Sequence, residues 1–504
     1  MQKPELVKEK TAVSEAKSAT ATLLVAGSII VALVAVGVWF ALSNPPINNN
    51  ANTSRTENQK STRRSSQPHP LAKPIHSSDP DYPIAREIAN AYKALQQKRT
   101  KEAVVEFAAL TENVKSIRAY YGLALALDQL SEERQSNEIL DKAIAAYKKM
   151  WDFVKKESSA ENKEILKRAI VRLADRQGFS GNEADAVESL RRLIDVLPGD
   201  TSVLNELALH YLLTGQNDKA KAVIEDVLRR RSDDGFALGH YGFLLKLETK
   251  YEEAVPYLYR GIRGDDDRCR EGRFYFHLGD ALHRLGRRDE AYEIYNEATK
   301  MGLFKSPWQR SLYNVNRLDS RPWWNPVDTP YVKSIRMLER NWEVIRDEGL
   351  AVMDVGRGGF EAEDENLRES GQWLQFTLFQ RGFETKSCNR VPKTCQIVRQ
   401  IKEAAQCSRG QIKYSVMHPG THIWPHTGPT NCRLRMHLGL VIPKGVNIRC
   451  GSETKVWEEG KVIILDDSFE HEVWHNGSSF RLIFIIDMWH PDLTESEKRT
   501  LPPI

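Results

Sequence analysis

Residues 21–42 (ATLLVAGSIIVALVAVGVWFAL) are apolar almost without interruption, and no charged residue occurs from Ser18 to Ser54. As a helix this stretch spans roughly 33 Å, the thickness of the hydrocarbon core of a bilayer. A chain that carries it cannot fold wholly as a water-soluble globule. A cleaved signal peptide is the alternative. The run is long for that, and no clear small-x-small cleavage site appears before Pro45-Pro46. Lys8, Lys10 and Lys17 lie on its N-terminal side, whereas the first cation beyond it is Arg55. The positive-inside bias therefore predicts a cytosolic tail over 1–17, a transmembrane anchor over 18–42 and a luminal or extracellular remainder, a single-pass type II arrangement.

Residues 43–82 are rich in Asn, Ser, Thr and Pro and nearly free of large apolar side chains, so burial cannot offset their ordering entropy. They are expected to form a disordered luminal stalk. Asn52-Thr53-Ser54 and Asn476-Gly477-Ser478 are glycosylation sequons, with Asn52 and Asn476 as the acceptors if this side is luminal. Seventy-two Lys and Arg against 68 Asp and Glu leave a net charge of +4 with no long basic block, which argues against nucleic acid as a partner. Six cysteines without a CxxC pair do not make a disulfide scaffold or a zinc ribbon.

From 83 to 316 the pattern is helical and repeats. LALHYLLTGQNDKAKAVIEDVL (207–228), YGFLLKLETKYEEAVPYLYRGI (241–262) and LGDALHRLGRRDEAYEIYNEAT (278–299) share a turn position at Gly215, Thr249 and Gly286. They also share a small residue at Ala220, Ala254 and Ala291, at steps of 34 and 37. A 34-residue period of this kind is the tetratricopeptide signature, in which the small residue lets two helices approach. Residues 91–110 read as a weaker copy. An unrelated helical bundle is the alternative, and a repeat array is suited to holding a partner chain.

After residue 317 the character changes to a helix over 332–346 followed by short β-branched runs with Gly, Pro and Asn punctuation. In RLRMHLGLVI (433–442) strand alternation places Arg433, Arg435 and His437 on one face and Leu434, Met436, Leu438 and Leu440 on the other. A row of two Arg and a His on a sheet packed on both sides requires anions, so an anion pocket is expected there. His418, His422, His426, His471 and His475 lie around that strand. Imidazoles suit iron, zinc or copper, so a mononuclear metal site is plausible, but histidines alone do not choose the metal. A facial triad needs His-x-Asp/Glu, and His426-Thr427-Gly428 offers Gly instead. Arg481, on the apolar strand FRLIFII (480–486), demands an anion of its own, most naturally a carboxylate.

The segments HPGTHIWPHTGPTNCRLRMH (418–437), DSFEHEVW (467–474) and FRL (480–482) together resemble the aspartyl/asparaginyl β-hydroxylase family. The order of anchor, stalk, repeats and C-terminal domain resembles that family as well. The resemblance implies a double-stranded β-helix (jelly-roll) oxygenase domain over 317–504 that depends on Fe(II), 2-oxoglutarate and O2. It implies His426 and His471 as the iron ligands, the triad carboxylate being absent in this family. Arg481, His437, Ser415 and Met417 are implied as contacts of 2-oxoglutarate. Arg433, Arg435 and, less directly, Arg368 are implied as substrate-binding residues, and a Cys388–Cys395 disulfide matches one in the family. The implied reaction is β-hydroxylation of Asp or Asn in epidermal-growth-factor-like domains, in the endoplasmic reticulum with the catalytic domain luminal. Two other classes remain to be weighed. A membrane-anchored repeat scaffold with an inactive oxygenase domain would lack His426, His471 or Arg481, and all three are present. A zinc hydrolase would bring a general-base motif such as HExxH, which is absent.

Overall fold

Six residues just before a helix have a positive φ, between 49° and 80°: Lys98, Gln135, Gly181, Gly215, Thr249 and Gly286. Each closes the turn of a helical hairpin in the computed structural model, which describes residues 70–504 apart from 74, 78, 154–158, 354–358 and 364–365. Glycine adopts this backbone freely, whereas Lys98, Gln135 and Thr249 are held in it by the helices on either side. The expected tail, anchor, Asn52 and most of the stalk lie outside the described residues. No helix among the described residues is long and apolar enough to cross a membrane.

The chain divides into two compact units, one running through Tyr241 together with Gly264–Asp267, the other comprising Gly242–Arg263 and Arg268–Ile504. The first holds α1 (Ala85–Gln96), α2 (Thr100–Asn113), α3 (Ile117–Arg134), α4 (Asn137–Lys148), α5 (Ala160–Phe179), α6 (Glu183–Val196), α7 (Thr201–Leu213) and α8 (Asn217–Arg230). Side-chain oxygens of Ser116, Ser136, Ser159 and Asp200 accept backbone N–H bonds at the starts of α3, α4, α5 and α7. Such a cap contributes about 1 kcal/mol. Gly122 of α3 lies against Phe107 of α2, where an added Cβ would sit 2.2 Å from the ring. The expected stalk ends earlier than residue 82. Arg118 is buried in α3, and its guanidinium binds Asp81 at 2.8 Å and Asp79 at 2.9 Å, building that stretch into the first hairpins. A buried guanidinium needs those carboxylates.

Helix α9 (Gly235–Leu247) ends within the second unit, which continues through α10 (Tyr251–Arg263), α11 (Gly272–Arg284) and α12 (Arg288–Lys300). The expected small residues Ala254 and Ala291 are fully buried here, as Ala220 is in the first unit. The sequence reading set the boundary at 316, yet the hairpin α11–α12 packs in the same unit as the sheets that follow. The expected helix over 332–346 is two, α13 (Val332–Arg340) and α14 (Trp342–Val352), separated at Asn341.

Thirteen strands follow: β1 (Trp323–Trp324), β2 (Glu361–Ala362), β3 (Arg368–Ser370), β4 (Trp373–Gln380), β5 (Phe383–Glu384), β6 (Gln411–Met417), β7 (His422–His426), β8 (Arg433–Val441), β9 (Val446–Cys450), β10 (Glu453–Lys455), β11 (Val462–Leu465), β12 (His471–His475) and β13 (Arg481–Trp489). They form a larger sheet in the order β1-β11-β8-β13-β6-β4-β2, with β5 on β4, and a smaller one in the order β10-β9-β12-β7-β3. From β6 onward the chain passes back and forth between the two sheets, the weave of a jelly roll. Met417, Ile423, Ile448, Val473, Ile483 and Ile485 fill the space between them. On the outer face of the larger sheet Leu434, Met436, Leu438 and Leu440 pack with Ile335, Leu338 and Ile345 of α13 and α14. Each such side chain contributes about 1.5–3 kcal/mol. Cys388 and Cys395 form the expected disulfide, and Cys407, Cys432 and Cys450 are buried thiols.

Candidate metal and co-substrate site

The alternation of β7 would turn His426 away from the space between the sheets. Ile423 faces inward with Val473, its register partner, and His426 lies three residues further on. A β-bulge restores it. The register shifts between His471 and Val473, so that His426 pairs with His471 and the two rings lie 4.1 Å apart between centroids. A bulge beside a functional site commonly re-aims a side chain in this way. The Nδ1 of His426 donates to the carbonyl of Trp424 at 2.7 Å, and that of His471 to the carbonyl of Phe469 at 2.9 Å. Both hydrogen bonds set the tautomer that leaves the lone pair on Nε2. Burial, with His426 alongside, holds His471 well below its ordinary pKa, so it is neutral. Two imidazoles side by side, oriented by backbone carbonyls, fit a divalent first-row metal.

Among the described residues no group of three or more His, Cys, Asp and Glu is placed to hold a metal. Gly428 stands where a facial-triad carboxylate would, and a Cβ there would meet Asp467 Oδ2 at 2.5 Å. Asp467 cannot yield easily. Arg433 Nη2 binds it at 2.8 Å and Arg435 Nη1 at 3.2 Å. Burial would raise the Asp467 carboxyl, but the two guanidinium groups override it and hold it well below the usual carboxylate range.

The expected row of anion binders on β8 is thus answered mostly from within. Asp487 joins Asp467, taking Arg435 Nε at 2.7 Å and Arg433 Nη1 at 3.3 Å. Arg433 is closed off by these partners, whereas Arg435 keeps a partly exposed edge. Asp487, 52 residues beyond Arg435, went unread in the sequence, and Asp467 was read only as part of the 467–474 segment, with no partner assigned.

His437 and Arg481 are the open part of the inner wall. Trp457 Nε1–H donates to His437 Nδ1 at 3.3 Å, which puts the His437 proton on Nε2, and that buried nitrogen has no acceptor. Arg481 is buried and donates through Nη2 to Ser415 Oγ at 2.9 Å, with its guanidinium 5.1 Å from the centre of the Trp457 ring. Among the described residues its Nε has no partner and it forms no ion pair. Burial alone lowers its pKa to about 9, so it stays charged at neutral pH. Met417 is its register partner on β6, and Trp373 Nε1 also donates to Ser415 Oγ at 2.9 Å. A buried cation without an anion, beside an unused N–H donor, fits a carboxylate ligand. Trp373 and Trp457 carry no sequence signal for this role, since nothing local distinguishes them from core aromatics.

The other expected residues are elsewhere. Arg368 is exposed on the edge strand β3 and donates to the carbonyl of Gly371. Asn476 is exposed in the turn after β12. His422 lies on the outer face of the smaller sheet between Glu369 and Glu472, which raise its pKa, and it is not part of the inner pair.

Residues 339–491 match the family described as "Aspartyl/Asparaginyl beta-hydroxylase", and residues 272–301, which span α11 and α12, match the tetratricopeptide repeat. A Homo sapiens protein named "Aspartyl/asparaginyl beta-hydroxylase" is 52% identical over 427 residues, covering 84% of this chain and 56% of that protein. Its Mus musculus namesake is 51% identical, covering 84% and 57%. The Homo sapiens "Aspartate beta-hydroxylase domain-containing protein 2" is 36% identical over 141 residues, covering 27% of this chain and 38% of that protein. The chain thus spans a little over half the length of the first two relatives.

Proposed function

Because residues 339–491 match the aspartyl/asparaginyl β-hydroxylase family, we propose that the chain is a peptidyl-aspartate/asparagine β-hydroxylase acting on epidermal-growth-factor-like domains with Fe(II), 2-oxoglutarate and O2. His426 and His471 hold the iron. When bound, iron and 2-oxoglutarate would supply the oxidation of the β-carbon by O2, one oxygen atom going to that carbon and the other to succinate, with release of CO2. Arg481 and Ser415 hold the distal carboxylate of 2-oxoglutarate, His437 donates from Nε2, and Met417 forms the wall opposite Arg481. The partly exposed edge of Arg435 orients the substrate carboxylate so that its methylene faces the metal. Arg433 fixes Asp467 and Asp487 behind it, and Arg368 on β3 contacts the peptide. The repeats hold the substrate domain. The protein is read as single-pass type II in the endoplasmic reticulum membrane, anchored by residues 18–42, with the catalytic domain luminal and Asn52 and Asn476 as glycan acceptors.

The observation that carries this reading is the buried Arg481, which lacks an anion and sits beside the unused His437 Nε2–H. The test is mass spectrometry of a disulfide-bonded growth-factor-like peptide with one Asp, incubated with the full chain, Fe(II), 2-oxoglutarate and O2. One oxygen gained on Asp, dependent on both iron and 2-oxoglutarate, is expected. Absence of both the oxygen gain and succinate would overturn the reading in favour of a scaffold.

A further inference from the structure

The two carbonyls that orient the candidate metal-binding imidazoles are backed by the helical hairpin α11–α12 and by the segment that follows it. Phe469, whose carbonyl takes His471 Nδ1–H, forms an antiparallel bridge with Gln309, and Gln309 Nε2 donates to Ser468 Oγ at 2.8 Å. Its neighbour Glu470 is held by Tyr292 Oη of α12 at 2.8 Å and by Arg310 at 2.9 Å. Arg310 is fully buried and lies with its guanidinium 3.9 Å from the centre of the Tyr295 ring, also on α12. On the far side of His471, Glu472 accepts from Arg288, the first residue of α12, at 3.1 Å. Trp424, whose carbonyl takes His426 Nδ1–H, lies with its ring 5.3 Å from the guanidinium of Arg284, near the end of α11.

We infer that Tyr292, Arg310 and Arg284 are positioning residues for the metal centre: Tyr292 of the α11–α12 hairpin and Arg310 beyond it set the orientation of His471 through Glu470, and Arg284 of the hairpin sets that of His426 through Trp424. The physical reason is the small number of ligands. With a third protein ligand, metal binding itself would enforce the geometry of the other two. With two, the alignment of each ring leans on its own Nδ1 hydrogen bond, and the strands carrying the accepting carbonyls must be fixed from outside. The hairpin does this with charged and phenolic groups on carboxylates that flank His471 and face away from the metal. One repeat of the helical array, the α11–α12 hairpin, is thereby part of the catalytic unit.

The inference rests on the proposed two-histidine metal site and is tested on the full chain with Co(II) as the probe, its dissociation constant read from the visible absorption of the bound ion. Tyr292→Phe removes only the hydroxyl and keeps the ring, and Arg284→Met keeps the bulk over Trp424. Each is expected to weaken Co(II) binding about tenfold, the usual effect of losing a group that orients a ligand. Arg284→Lys is expected to restore most of it. Ile335→Val, in the core beneath α13, is expected to lower the melting temperature and leave Co(II) affinity unchanged. Wild-type affinity in both Tyr292→Phe and Arg284→Met, or an equal loss in Ile335→Val, overturns the inference. Absence of Co(II) binding by the wild type overturns the proposed metal site itself.

Discussion

Replacing Arg481 by Met should make the ligand-free protein more stable while removing its response to 2-oxoglutarate. Among the described residues the buried guanidinium has no ion-pair partner, and its pKa falls to about 9 because of burial alone. At about 1.4 kcal/mol per tenfold change in proton affinity, that fall corresponds to a burial cost on the order of 5 kcal/mol. Met fills most of the space of the aliphatic stem but loses the bond to Ser415 and the contact with Trp457. Those losses reduce the expected gain to about 1–4 kcal/mol, the range seen when buried charged groups are replaced by well-packed apolar ones. In the wild type, 2-oxoglutarate at a hundred times its dissociation constant should add about 2.7 kcal/mol. Urea unfolding followed by hydrogen exchange of the β6 and β13 amides reads this unit apart from the helical one. A destabilised ligand-free Arg481→Met, or one that 2-oxoglutarate stabilises as much as the wild type, would refute the reasoning.

Three further outcomes are expected. Gly428→Ala should cost about 1–3 kcal/mol, because its Cβ meets an Asp467 carboxylate that Arg433 and Arg435 hold in place, and an unchanged urea midpoint would show that Asp467 yields freely. Arg433→Leu should be worse, about 3–5 kcal/mol, since Asp467 and Asp487 are buried and lose a guanidinium they share; the same urea midpoint measures it. His422 titrates with its pKa raised by its bond to Glu472 and then by Glu369, in the presence of Arg449 and Arg288 on Glu472. Its folded value lies above its unfolded one, so the stability it contributes is complete below about pH 6.5 and is lost as pH rises through the folded value. Exchange of the β3 and β7 amides, corrected for intrinsic rates, should therefore speed up over that window in the wild type and not in His422→Gln.

The sequence by itself determined the helical array at the Gly215, Thr249 and Gly286 turns, where the copies recur at steps of 34 and 37, whereas the Gly181 turn went unread. Gly215 and Gly286 advertise the turn, and Thr249 is located by its distance from Gly215. Lys98 and Gln135 take the same backbone conformation with side chains that do not announce it, so the first hairpin reads as a weak copy and α3–α4 is missed. The histidines and the alternation of β8 were equally legible, because metal ligation and strand facing depend on residue type and on a period of two. What faces what across the sheets was decided only by tertiary structure. A one-residue bulge, invisible in the pattern, turns His426 inward to join His471. Asp467 and Asp487 neutralise Arg433 and Arg435, leaving Arg481 as the open cation, and this pairing depends on strands that meet only after the fold closes. The same holds for the α11–α12 hairpin, which reads as one more repeat and yet packs in the unit of the sheets. Its Arg288 and Tyr292 find Glu472 and Glu470 nearly two hundred residues away, and electrostatic pairing at that separation leaves no trace in local sequence.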